Sequence, residues 1–122
     1  MLGHISFGVG DIQRAAVFYD STLAALGYAR LWTGEKGLGY GRPDGGEKLN
    51  LFEVVAPIAP GPGFHLAFDA PDETAVDRFH SAALLFGGVD EGAPGLRPHY
   101  GRTYYAAFVR DPDGHKLEAV YQ

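Results

Sequence analysis

Apolar and polar residues alternate at the start of the chain, with Ile5, Phe7 and Val9 on one side and His4, Ser6 and Gly8 on the other. A period of two is that of a strand with one buried face. The period then lengthens: Ala15, Phe18, Tyr19, Leu23 and Leu26 recur every three to four residues, which predicts a helix with one apolar face. Asp11 stands where an N-cap carboxylate accepts from a free first-turn amide, and Gly27 suits the left-handed residue that ends a helix. Three extended runs follow, around residues 28–32, 38–41 and 48–55.

The same pattern then returns. Shifted by 61 positions, His4 meets His65, Phe7 meets Phe68, Asp11 meets Asp72, Phe18 meets Phe79, Leu23 meets Leu84 and Gly27 meets Gly88, six identities in 24 aligned positions. Each falls where an element needs it, which is how a duplicated unit looks in sequence. Phe64, Leu66 and Phe68 form a bulky strand face opposite His65, Ala67 and Asp69, and Val76, Phe79, Ala83 and Leu84 give the second helix its stripe. Extended runs follow at 89–93, 104–110 and 116–121, the last two joined by Asp111-Pro112-Asp113-Gly114, a strong turn signal. The predicted order is βαβββ twice, an α+β fold in one domain over 1–122. Module 1 covers about 1–56, the Pro- and Gly-rich segment 57–63 is the linker, and module 2 covers about 64–122. Residues 94–103 read as a long irregular loop carrying Arg97, His99, Tyr100 and Arg102.

Composition narrows the function classes. The chain has 122 residues, enough for one core. With ten basic and fifteen acidic residues its net charge is −5, so no basic field is available for nucleic acid or an anionic membrane. No apolar run is long enough to span a bilayer, and the opening residues lack the regions of a signal peptide, so a cytoplasmic protein is expected. There is no cysteine, which excludes disulfides, iron–sulfur clusters and thiol catalysis and leaves His, Asp, Glu and Tyr as the reactive types.

Two carboxylates need partners. Glu118 lies beside Lys116 and Val120 on the last strand, opposite Leu117, Ala119 and Tyr121; Glu53 lies on the face of Leu51 and Val55. A buried ionised group without a partner is costly. Two neutral imidazoles at equivalent repeat positions, His4 and His65, with one or two carboxylates, are the ligand types of a divalent metal site.

The segments HISFGVGDIQRAAVFYDSTLAALGY, FHLAFDAPDETAVDRFHSAALLFGG and YYAAFVRDPDGHKLEAVYQ resemble the vicinal oxygen chelate superfamily of glyoxalase I, fosfomycin-modifying enzymes, extradiol dioxygenases and bleomycin resistance proteins. The resemblance covers essentially the whole chain. It implies that each module curls into a half-barrel, that the halves form a cup-shaped, half-open barrel around one metal, and that the protein is a homodimer in which the metal can draw ligands from two chains. Position by position it assigns His4, His65 and Glu118 as metal ligands and Glu53 as the fourth. Glu53 is then the better candidate for a catalytic base and Glu118 the alternate; a slip of one residue in the fourth strand would take Glu53 out of the cup. The resemblance implies a divalent ion, zinc, nickel, manganese or iron, and does not select among them.

The implied function is that of a glyoxalase-like lyase or isomerase whose small substrate binds the metal through neighbouring oxygens. The alternatives are a non-catalytic protein that sequesters an antibiotic, as bleomycin resistance proteins do, an epoxide-opening thiol transferase and a dioxygenase. Tyr105 is a candidate to orient a substrate oxygen if its register faces the cup, and a core residue if it faces the helices. His99, Tyr100 and Arg102 are candidates for a polar rim, and Trp32 either floors an aromatic pocket or fills the core. His80 is expected to be buried and hydrogen-bonded, and His115, after a turn, to meet water.

Overall fold

In the computed structural model, which describes residues 1–122, the chain runs β1 (Ile5–Val9), α1 (Ile12–Ala24), β2 (Ala29–Thr33), β3 (Gly37–Gly41) and β4 (Glu47–Glu53). It then repeats the order as β5 (Leu66–Asp69), α2 (Glu73–Leu85), β6 (Val89–Leu96), β7 (Tyr105–Arg110) and β8 (Lys116–Tyr121). The two βαβββ units form two four-stranded sheets of identical topology, β1-β4-β3-β2 and β5-β8-β7-β6. In each sheet the first strand pairs parallel with the fourth and the other pairs are antiparallel. This is the α+β architecture that the repeat predicts.

Both helices start as their sequences require. The Asp11 carboxylate accepts from the amides of Gln13 and Arg14, and Asp72 accepts from Ala75, each cap contributing about 1 kcal/mol. The helices pack against each other, and Phe18, Tyr19 and Leu23 of α1 join Val76, Phe79 and Ala83 of α2 in one core cluster with Leu49, Leu51, Val109 and Leu117 from the two sheets. Burying each large side chain contributes roughly 1.5–3 kcal/mol. Leu84, expected on this stripe, is instead exposed; Ala75, one turn before Phe79, takes the inward place in α2.

Two further expectations are corrected. The segment 94–103 is not all loop, because β6 continues to Leu96. An edge strand tolerates Pro94, which has no amide to donate, and register shifts on either side of Gly92 absorb the irregularity. His115 does not meet water: it is 2% exposed, its ring lies 4.3 Å from that of Phe7, and its Nε2 is 2.8 Å from the Gly8 carbonyl. The 111–115 turn thus docks module 2 onto module 1. Tyr19 donates to Asp111 at 2.5 Å, and Asp113 accepts from the Gly10 amide and from Arg14. Burial, with Asp111 alongside, pushes the Tyr19 phenol well above its ordinary pKa. Burial also raises the Asp111 carboxyl, against the opposing bond from Tyr19.

Candidate functional site

Each sheet turns one face to the helices and leaves the other open. On the second sheet the strand period decides which side chains line the open face. Glu118 stands opposite Ala67 on β5 and Phe108 on β7, so His65, Ala67, Phe108, Lys116 and Glu118 share that side. Glu118 is fully buried. Tyr104, just before β7, donates its hydroxyl to Glu118 Oε1 in a short hydrogen bond. Burial and then this carboxylate push the Tyr104 phenol up to about 12.

The other oxygen of Glu118 is the unusual one. His65 Nε2 lies 2.7 Å from Oε2, yet Oε2 is buried and takes part in no hydrogen bond. The two atoms are in contact by distance but not by the angle of a hydrogen bond. A buried carboxylate oxygen without a donor is costly, and the imidazole nitrogen beside it is the other common type of metal ligand. The His65 side chain is 41% exposed and lines a cavity of about 290 Å³ with Arg97, His99, Tyr100, Phe108 and Lys116, and with Glu91 and Gly92, while Glu118 lies buried behind it.

The remaining candidates separate. His4 is exposed and lines a different cavity, of about 380 Å³, beside Tyr28, Arg42, Lys48 and Asp69. Within one chain no group of three or more His, Asp or Glu side chains is placed to hold a metal. Glu53 turns away from the open face of its sheet. It pairs with Val9, shares the side of buried Leu49 and Leu51, and its Oε2 accepts from the Ile12 amide at 2.9 Å. It therefore satisfies a free donor at the start of α1, and the open-face positions of β4 are Lys48, Asn50 and Phe52. The expectation that Glu53 is a ligand and base is corrected on that ground.

Tyr105 faces the helices, packs against the core and donates to Asp77 of α2 at 2.6 Å, so it is not on the side of His65. Trp32 is on the open face of the first sheet, neither in the core nor in the cavity of His65. It lies over β3, where a Cβ on Gly37 would come within 2.5 Å of its ring, and beside Phe52 at 6.1 Å between ring centroids. His99 lines the His65 cavity and stacks on Tyr100 at 4.1 Å. Arg102 is exposed on the following turn and does not line it. His80 is half-buried and bonded to Asp90 at 2.8 Å.

Sequence reasoning missed Tyr104, Phe108 and Lys116 as site residues. The signal was present: Asp111-Pro112-Asp113-Gly114 makes β7 and β8 a hairpin, and pairing Arg110 with Lys116 puts Phe108 opposite Glu118. The alternation then selects Tyr104 over Tyr105.

The profile of the Glyoxalase/Bleomycin resistance protein/Dioxygenase superfamily matches residues 1–119. The chain belongs to this superfamily. Among solved structures it is similar to a glyoxalase/bleomycin resistance protein from Albidiferax ferrireducens, with 32% identity, a TM-score of 0.87, and 100% of this chain and 99% of that one covered. A glyoxalase I variant from Zea mays is 27% identical with a TM-score of 0.72, over 96% of this chain and 44% of that one. A fosfomycin resistance protein from Mesorhizobium loti, 17% identical with a TM-score of 0.72 over 100% of this chain and 92% of that one, shares the fold. No curated protein matches the chain. No helix of this superfamily member is long and apolar enough to cross a membrane.

Proposed function

We propose that this protein is a divalent-metal-dependent enzyme of the vicinal oxygen chelate type, a glyoxalase-like lyase or isomerase for a small substrate that binds through neighbouring oxygens. One observation carries the reading: the buried, donorless Oε2 of Glu118 lies 2.7 Å from the Nε2 of His65, a residue that itself lines an open cavity. Imidazole and carboxylate are a donor pair suited to zinc, nickel, manganese or iron, and a cation there would satisfy the oxygen that no hydrogen bond reaches. His65 and Glu118 would hold the ion, and His4, which lies apart from them within one chain, would come from a second copy in a homodimer.

When bound, such an ion polarises substrate oxygens and stabilises the oxyanion that forms on proton transfer. The chain's own residues set the conditions for that. Tyr104 holds Glu118 by Oε1, leaving Oε2 free of hydrogen bonds beside His65. The Tyr104 phenol, pushed up to about 12, stays protonated at neutral pH and remains a donor. With Glu53 engaged at α1, Glu118 is the carboxylate left to move a proton between adjacent carbons, the alternate-base role that the family resemblance implies for it. The absence of a fourth ligand, a second carboxylate, on the open face of β4 favours keeping the epoxide-opening transferase as the second reading, since that chemistry needs only the three-ligand set.

The test is to strip purified protein with a chelator and titrate nickel, zinc, manganese and iron(II), then to assay hemithioacetals, epoxides and catechols with the ion that binds. The expected result is tight, saturable uptake that His65→Ala and Glu118→Ala abolish. Uptake by either variant at the parental level removes that residue from the site. No specific uptake by the parent overturns the metalloenzyme reading in favour of a sequestering protein.

A further inference from the structure

Beside the His65–Glu118 pair, the cavity collects cationic groups that no carboxylate neutralises. The Arg97 guanidinium and the Lys116 ammonium both lie over the Phe108 ring, at 5.6 and 5.4 Å from its centroid, and His65 meets the same ring edge-on at 5.6 Å. Neither Arg97 nor Lys116 has an acidic side chain within ion-pair distance; Glu91, the one carboxylate lining the cavity, is taken by Arg110. In a chain of net charge −5, two unpaired cations facing one small cavity run against the general field.

Arg97 is also held in place. Its Nη1 and Nη2 donate to the carbonyls of Gly95 and Ala93 at 2.9 and 2.8 Å. Two glycines make room for it: a Cβ on Gly92 would come to 3.2 Å from Nη2, and one on Gly95 to 3.3 Å from Nη1. Gly92, at φ 158, has a backbone conformation that side chains rarely adopt. A guanidinium has five N–H donors, so three remain after the two carbonyl bonds. The arrangement is a fixed planar donor with an ammonium beside it and an aromatic floor beneath, next to the atoms proposed to hold the metal.

We infer that Arg97 and Lys116 form an oxyanion-binding subsite, and that the substrate carries a carboxylate, phosphonate or phosphate group at the end remote from its metal-binding oxygens. The inference deepens the enzyme reading and rests on it only for the word substrate, since the subsite itself needs no metal. Phe108 holds both cations through their faces and stems, and His99 and Tyr100 border the same cavity.

The test uses metal-free, chelator-treated protein and isothermal titration with methylphosphonate, acetate and, as the neutral control, ethylene glycol. The parent binds an anion saturably and ethylene glycol not at all. Lys116→Gln and Arg97→Gln each weaken anion binding about tenfold or more, as expected for a lost hydrogen bond to a charged group, while Lys36→Gln, on the other sheet, leaves it within about twofold. Preference for methylphosphonate assigns the subsite to a tetrahedral dianion, and preference for acetate assigns it to a carboxylate; both support the subsite. Circular dichroism of each variant confirms that folding is intact, and amide shifts at residues 92–97 in parental protein give a second, mutation-free readout. No saturable anion binding by the metal-free parent, equal losses in Lys36→Gln, or anion binding only after metal is restored would each overturn the subsite. Because no metal is present, failure here leaves metal uptake untested, and failure of metal uptake leaves this result standing.

Discussion

At the scale of single residues, the site depends on how buried polar atoms are satisfied. Tyr104 is the only hydrogen-bond donor to the Glu118 side chain, so Tyr104→Phe should leave both oxygens without one and let the carboxylate turn. Outer partners of this kind typically change metal affinity about 10- to 100-fold. Competition with a chromogenic chelator measures it, and an affinity within about twofold of the parent would contradict the positioning role. Tyr19 has the corresponding job at the module junction, donating to Asp111. Tyr19→Phe should cost about 1.5–3 kcal/mol in urea unfolding, as expected for a hydrogen bond to a charged group; a smaller loss than from a surface substitution would show that the bond contributes nothing. Asp111 itself has its folded pKa raised, chiefly by burial. The folded state then binds the proton more tightly than the unfolded chain, so this residue's contribution is fully present below the ordinary Asp value of about 3.9 and lost as pH rises through the raised folded value. Relative to Asp111→Asn, the parent should therefore lose stability as the pH climbs from that ordinary value toward neutral, and a stability difference independent of pH would refute this.

Among elements, what was legible in the sequence followed from local chemistry. Asp11 and Asp72 announce both helices because an N-cap carboxylate serves its own first turn, and β8 is read at its observed bounds because a Pro-Asp-Gly turn precedes it. Facing was harder where tertiary partners decide. Glu53 looked like a ligand because its sequence neighbours are apolar, and only the approach of α1 shows that the Ile12 amide is its partner. His115 looked solvated because it follows a turn, and only the docking of that turn onto Phe7 and Gly8 buries it. His65 and Glu118 were legible from the repeat and the alternation, whereas Tyr104 required the β7–β8 register. Trp32 belongs to this scale as well, because the glycines of β3 give its ring a flat bed. Gly37→Ala would push a Cβ to 2.5 Å from the ring, closer than side chains approach. The variant should show altered tryptophan emission and near-ultraviolet dichroism, and spectra identical to the parent would mean that the ring does not rest there.

For the whole molecule, the two modules place His4 and the His65–Glu118 pair in separate cavities of one chain, although all three belong to the ligand set that the superfamily resemblance implies. The proposed isologous dimer would resolve this, since a two-fold axis would bring the same two patches together twice and build two equivalent sites from two copies. The open sheet faces are consistent with such pairing, with Trp32, Phe52 and Val54 exposed on one and Tyr100 and Leu96 exposed near the other. Metal-linked stabilisation should then depend on protein concentration as well as on free metal, because under this proposal the ion would bind only the assembled state. The most direct test is to mix the His4→Ala and His65→Ala variants after unfolding and refolding them together, and to measure bound metal. Each variant alone should bind none, while a mixed dimer has one site in which an intact His4 meets an intact His65 and Glu118, so the mixture should recover metal at one ion per mixed dimer. A mixture that binds no more than the separate variants, or His4→Ala binding metal like the parent, would contradict a site shared between two copies.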